Sequence, residues 1–316
     1  MTSPSKLSGA ARLDHLGVIR AEGADAAAFL HGQLTQDVAS LGAGEARLAA
    51  LCTAKGRMLA SFVLLRPENE TVLLVCSRDL LAATLKRLTM FVLRAKVRLS
   101  DVTADLDLHG LAGAALAANG IDPASRPGLR LAMGGNDGAG SAVLLHPADG
   151  VPRALWIARA GFAPPQGEPL DPAVWRWGEV RSGIVTLTTP VVEAFVPQML
   201  NYESVGAVNF KKGCYPGQEI VARSQFRGTL KRRTYLAHSD TAAAAAGQEV
   251  FAQAAGDAAP EPVGTVAQAA LAPEGGSALL VSMQIAAADA PELRIGAADG
   301  PTLSLEALPY ELLADV

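Results

Sequence analysis

Residues 210–223 read Phe210-Lys211-Lys212-Gly213-Cys214-Tyr215-Pro216-Gly217-Gln218-Glu219-Ile220-Val221-Ala222-Arg223, and no other stretch concentrates so much chemistry. The Cys214 thiol has two ammonium groups, Lys211 and Lys212, beside it, and nearby cations favour the reactive thiolate. Gly213, Pro216 and Gly217 bracket it in tight backbone, and glycine allows close approach to a ligand. The residues from Pro216 to Ala222 are expected to start a helix, which would put Glu219 and Arg223 on one face. That pair is either a solvated ion pair contributing under about 1 kcal/mol or a clamp for a polar heterocycle or a substrate carboxylate. Cys214 is open to three readings: a nucleophile, a redox-sensitive thiol, or a small buried residue. Acyl-transfer chemistry would need a histidine base. The segment contains none, which argues against protease-like chemistry, although a distant histidine could come close in the fold.

Outward from this segment, the pattern predicts a strand over 12–20 and a helix from a capping Asp25 to about Val38, with Phe29, Leu30, Leu34 and Val38 on its apolar face. Strands are expected at 48–52, 57–65 and 71–76, with a Pro-Glu-Asn-Glu turn at 67–70. A helix over 79–93 and a strand over 95–102 follow. Residues 104–168 mix short strands with Gly- and Pro-rich turns. Asp171-Pro172 opens a second helix that carries Val174, Trp177 and Val180 inward and stops near Gly183. Residues 184–209 read as irregular. From Thr234 the pattern is short strands and turns, suggesting a small β-barrel, with the Ala-rich stretch 241–259 as an exposed loop.

The 316 residues exceed one ordinary core, so two or three domains are expected. A net charge of -4 confines any nucleic-acid contact to a local patch. Three cysteines (Cys52, Cys76, Cys214) without a Cys-x-x-Cys pair argue against a disulfide framework or a cluster-ligand set held by this chain alone. The five histidines are scattered without a His-x-x-x-His pair, and no metal site is expected. The N-terminus lacks the apolar run of a secretory signal and no stretch is long enough to span a bilayer, so the expected location is cytoplasmic, away from membranes. Lys86, Arg87, Arg94, Lys96 and Arg98 lie in an acid-free stretch. Lys211, Lys212, Arg223, Arg227, Lys231, Arg232 and Arg233 face only Glu219 within residues 205–233. The two stretches suggest a basic site for an anion, unless they lie apart as solvated faces.

Four segments in order complete the reading: Phe29 to Asp37, Lys55-Gly56-Arg57, Pro197-Gln198-Met199-Leu200-Asn201, and Lys212 to Glu219, followed by Arg223 and Arg227. Together they resemble the YgfZ-type folate-binding proteins, relatives of the aminomethyltransferase (T-protein) of the glycine cleavage system. The resemblance runs from about Leu13 to Leu312. It implies an α+β fold of three modules in a ring, with a folate-binding region of two interleaved α+β subdomains over 1–236 and a C-terminal antiparallel β-barrel over 237–316. It implies tetrahydrofolate or a derivative, polyglutamylated forms included, in a central cavity. The residues expected there are Thr35, Asp37, Gln198, Asn201, Lys212, Gly217, Gln218, Glu219, Arg223 and Arg227, with Cys214 as a functional thiol and with Lys212, Cys214 and Glu219 facing a shared cavity. The implied role is an accessory one, supporting iron–sulfur cluster assembly or repair in client enzymes such as a radical tRNA thiomethylase. The alternative is a folate-dependent aminomethyl or one-carbon transferase. Direct tRNA contact is a weaker third reading, since few aromatics interleave with the cations.

Overall fold

The computed structural model describes residues 6–134, 140–226, 230–253 and 261–313. Two strands, β1 (Gly9–Arg12) and β2 (Leu16–Glu22), replace the single one expected over 12–20. They enter different sheets, because the chain turns at Leu13–His15. The next helix, α1 (Ala26–His31), is shorter than the pattern predicts. Leu34 bridges to Leu51 and the Thr35 amide donates to Ala50 O, so pairing with a neighbouring strand overrides helical periodicity after Gly32. Nor does Asp25 cap the helix with its side chain: Oδ2 instead accepts the Lys96 amide at 2.7 Å.

Strands β3 (Ala46–Cys52), β4 (Met58–Glu68) and β5 (Thr71–Ser77) form an antiparallel meander. Helix α2 (Arg78–Met90) then leads to β6 (Arg98–Asp101), a shorter strand than expected, giving the sheet order β3-β4-β5-β2-β6. The strands are apolar on both faces because each face meets a core. Successive residues alternate between them: Val18, Leu73 and Val75 point into one, and Ile19, Val72 and Leu74 into the other.

The second sheet takes β1, β7 (Leu106–Ala112), β8 (Arg130–Met133), β9 (Gly140–Ala148) and β10 (Val151–Arg159) in the order β1-β7-β10-β9-β8, with α3 (Ala114–Ala118) packed against it. Helix α4 (Pro172–Arg181) starts as its sequence predicts, with Asp171 Oδ1 accepting the Ala173 amide at 2.8 Å. Val180 is buried as expected and Trp175 is driven inward with it, while Val174 and Trp177 are half-buried. Trp175 lies so close to β7 that a Cβ on Gly110 would fall 2.5 Å from its ring. Two short 3-10 turns, Thr189–Val191 and Pro197–Leu200, punctuate the irregular segment before α5 (Gln218–Phe226).

The C-terminal module is a closed barrel of β11 (Arg232–Ser239), β12 (Glu249–Ala252), β13 (Pro262–Leu271), β14 (Ser277–Gln284), β15 (Leu293–Ile295) and β16 (Thr302–Glu306). Its first strand starts at Arg232 and so crosses residue 236. The stretch 241–259, expected to be a loop, contains β12, whose Val250 is fully buried in the barrel interior. One core joins the two sheets, and another joins the first sheet to the barrel. Helix α4 packs against both the second sheet and the barrel. The three modules therefore meet pairwise around a centre, in an α+β fold with a C-terminal barrel.

Candidate functional site

At that centre lies a chamber with an empty volume of about 690 Å³, counting the space at its open side. Its walls are largely apolar, with Leu16, Val63 and Val75 from the first sheet and Leu145 and Leu155 from the second. Its polar groups include Trp175 and Glu179 from α4 and Arg153 from β10. Glu179 Oε1 accepts Trp175 Nε1 at 2.9 Å, one helical turn away, and lies 3.0 Å from His15 Nε2. A carboxylate has about four acceptor positions, so Glu179 keeps capacity for a further donor.

Arg153 is the unusual member, a cation only 3% exposed within an apolar strand. Its Nε and Nη2 donate to His146 O at 3.2 and 3.0 Å, and the guanidinium lies 5.1 Å from the centre of the Trp175 ring. Nη1 is buried without a hydrogen-bond partner. Burial pushes the Arg153 pKa down to about 10, opposed by the charge of Glu179, so the group remains cationic at neutral pH. Leaving a buried donor unpaired costs about 1–3 kcal/mol, which is why such atoms call for an explanation.

Two further cavities share walls with the chamber. One, reaching Gln36, Arg47 and Asn209, shares Leu48, Val63, Leu145 and His146. The other, reaching Arg78, Asp79 and Arg176, shares Glu179 and Thr186.

None of the site residues expected from the sequence lines the chamber. Several hold the backbone around it. Thr35 Oγ1 donates to Ala207 O at 2.7 Å and accepts the Ala50 amide. Gln198 Nε2 donates to Val221 O at 2.6 Å, fixing α5. Asn201, left-handed at φ 57°, donates to Thr234 O and accepts the Thr234 amide, tying the 197–201 turn to the barrel. Gly217, at φ 83°, passes so close to the 53–56 turn that a Cβ would fall 2.4 Å from Thr53 O. This contact joins the Lys55-Gly56-Arg57 segment to the Cys214 segment. Gln218 opens α5 and is half-buried.

Lys212 is buried. Its Nζ donates to His31 O and Leu34 O and lies 4.8 Å from the Tyr215 ring centre. Burial pushes its pKa down to about 8, with Asp37 and Cys214 pulling the other way. His31 Nδ1 is 3.0 Å from Asp37 Oδ1, and a Cβ on Gly213 would lie 3.5 Å from His31 Nε2. The histidine missing from 210–223 thus arrives beside the turn from α1. Cys214 itself is exposed. Glu219 and Arg223 pair with each other at 2.8 Å, and with side chains 81% and 61% exposed they form the solvated pair. Lys212, Cys214 and Glu219 therefore do not face one cavity: the lysine turns inward while the other two are in solvent. Arg227 lies outside the described residues.

Arg153, Glu179, Trp175 and His15 escaped the sequence reading. A cation directly before the apolar run Ala-Leu-Trp-Ile-Ala of β10 was one available signal, and the Trp175–Glu179 spacing on a capped helix was another.

Comparisons with known proteins agree with this architecture. Residues 8–118 match the GCVT N-terminal domain. The aminomethyltransferase T of the glycine cleavage system from Bartonella henselae superposes with a TM-score of 0.69 over 97% of this chain and 87% of its own, at 16% identity, a likeness of fold. The tRNA-modifying protein YgfZ of Yersinia pestis is 29% identical over 317 residues, 96% of this chain and 92% of its own. That of Edwardsiella ictaluri is 34% identical over 239 residues, 71% of this chain and 69% of its own. The chain belongs to the YgfZ family.

Proposed function

We propose that this protein binds a reduced folate in the central chamber and acts as an accessory factor for iron–sulfur enzymes, including one that thiomethylates tRNA. The observation that carries the binding reading is Arg153, whose buried Nη1 lacks a partner on the wall that also presents Glu179. A pterin is a flat heterocycle with an amide-type carbonyl and guanidine-type N–H groups. Arg153 has N–H groups for the carbonyl, and Glu179 has lone pairs for the N–H edge. Apolar walls with a few converging polar groups suit such a ring. When bound, a reduced folate supplies a carrier for one-carbon units. The residues of this chain hold and orient it: His15 and Trp175 fix the Glu179 carboxylate, and His146 O with the Trp175 ring fixes the Arg153 guanidinium.

The name carried by the relatives supports a place in tRNA modification. The finer reading, with clients that hold iron–sulfur clusters, rests on the resemblance of the Lys212–Glu219 segment. The likeness to the aminomethyltransferase is one of fold and does not by itself favour the transferase alternative.

Titration with tetrahydrofolate tests the reading. Saturable quenching of tryptophan fluorescence is expected, since Trp175 lines the chamber, together with a ligand-dependent rise in melting temperature. No saturable signal and no thermal shift would remove folate from the proposal.

A further inference from the structure

The end of α2 carries an exposed apolar tip that neither the chamber nor the Cys214 segment uses. Met90, Phe91 and Leu93 are 68%, 45% and 88% exposed. Between them Val92 turns back onto the core of the first sheet, so the exposure follows from how the segment is anchored. Lys86, Arg87, Arg94, Lys96 and Arg98 flank the tip along the chain, and none forms an ion pair among the described residues. Arg87 lies 5.8 Å from the centre of the Phe91 ring. Farther along, Glu22 is in register with Arg98 and Asp25 accepts the Lys96 amide.

The other basic stretch is largely spent internally. Lys212 is bonded to backbone carbonyls, Arg223 to Glu219, Arg233 to Glu203, and Arg232 to Val263 O. Charge is also divided along the chain. Residues 237–316 hold eleven Asp and Glu against the single Arg294, and residues 1–236 hold twenty against twenty-six Lys and Arg.

We infer that the tip formed by Met90, Phe91, Leu93, Arg87 and Arg94 is a docking surface for a protein partner that presents an apolar pocket rimmed by carboxylates. Aromatic, Met and Arg side chains are enriched in protein interfaces. Clustered exposed apolar residues mark interaction sites. Unpaired cations at the rim select an acidic partner and speed its encounter. RNA fits less well, because two of the three apolar side chains are aliphatic and Arg87 lies over the Phe91 ring. The inference rests on the accessory reading above, in which the partner is a client enzyme.

The test uses the full chain with Leu93→Asp and, separately, Arg94→Glu. Both side chains are exposed, so folding and tetrahydrofolate affinity should be retained. The probe is the purified radical tRNA thiomethylase, with complementation of a deletion strain read by tRNA thiomethylation. The expected result is at least a tenfold loss of probe affinity for each variant, weaker wild-type binding at high salt, and reduced thiomethylation. Variants that bind the probe and complement like wild type would overturn the docking surface and leave the client reading standing. Failure of the wild type to restore thiomethylation would remove the client reading, and the docking surface with it. Loss of tRNA affinity with probe affinity unchanged would make the patch an RNA site. A wild-type dimer abolished by Leu93→Asp would assign it to a second copy of this chain. Either of the last two results overturns the inference.

Discussion

Replacing Arg153 with methionine separates a ligand-binding cation from a structural one. Methionine keeps an unbranched side chain in the β10 position and removes the charge. In the native protein the guanidinium makes two hydrogen bonds to one carbonyl oxygen, at 3.2 and 3.0 Å, and lies over Trp175. A charge-assisted hydrogen bond contributes about 1.5–3 kcal/mol, and a desolvated cation–π contact about 2 kcal/mol. Against these stands desolvation. A pKa lowered from 12.5 to about 10 corresponds to about 3 kcal/mol of penalty on the charged form, and Nη1 adds the cost of an unpaired donor. The terms nearly cancel, so the unliganded variant should unfold within about 1–2 kcal/mol of wild type, in line with the small or favourable effect of replacing buried charges by apolar groups. Folate affinity should fall by about 1.5–3 kcal/mol, or about ten- to a hundredfold, through the lost charge-assisted bond. Urea denaturation with and without tetrahydrofolate measures both quantities on one sample. Loss of more than about 3 kcal/mol of stability with unchanged folate affinity would refute the reasoning and make Arg153 a structural pin.

Gly217→Ala should destabilise the protein by about 2 kcal/mol or more, because the residue is at φ 83° and a Cβ would fall 2.4 Å from Thr53 O; thermal denaturation measures it, and a wild-type midpoint would contradict the close approach. Glu219→Gln should change stability by less than about 0.5 kcal/mol, since the pair with Arg223 is solvated; a large drop in denaturant midpoint or in folate affinity would return it to the site. Asp79 accepts hydrogen bonds from Ser77 Oγ and the Thr189 amide. Burial opposes these bonds, but they prevail and hold its pKa below the usual 3.8. The stability it contributes is complete above its unfolded value and is lost as pH falls through the folded one. Asp79→Asn should therefore flatten part of the acid unfolding curve below about pH 4, and an unchanged acid limb would count against those bonds.

The elements legible in the sequence were those whose signals are local. Asp171-Pro172 marks the start of α4 because cap and first turn lie in adjacent residues. The hairpin of β4 and β5 and the barrel after Thr234 follow from alternating apolar residues and turns. Errors arose where a distant segment supplied the deciding contact. Helix α1 stops at His31 because residues 34 and 35 pair with β3, and β12 forms in an Ala-rich stretch because β13 and β15 flank it.

For the site the division is sharper. The Lys212–Glu219 segment stood out by itself, since unusual residue types adjacent in the chain need no fold to be noticed, and it was enough to suggest the family. What those residues do was decided by tertiary structure. Lys212 meets the carbonyls of residues 31 and 34, Gly217 meets residue 53, and Glu219 is solvent-exposed and pairs with Arg223. The chamber was invisible in the sequence because its polar wall is assembled from Ser61, Arg153 and Glu179, which lie far apart in the chain. Their separation is closed only when three cores pack around a common centre, and burial there is what changes Arg153 from an ordinary surface cation into an unpaired donor.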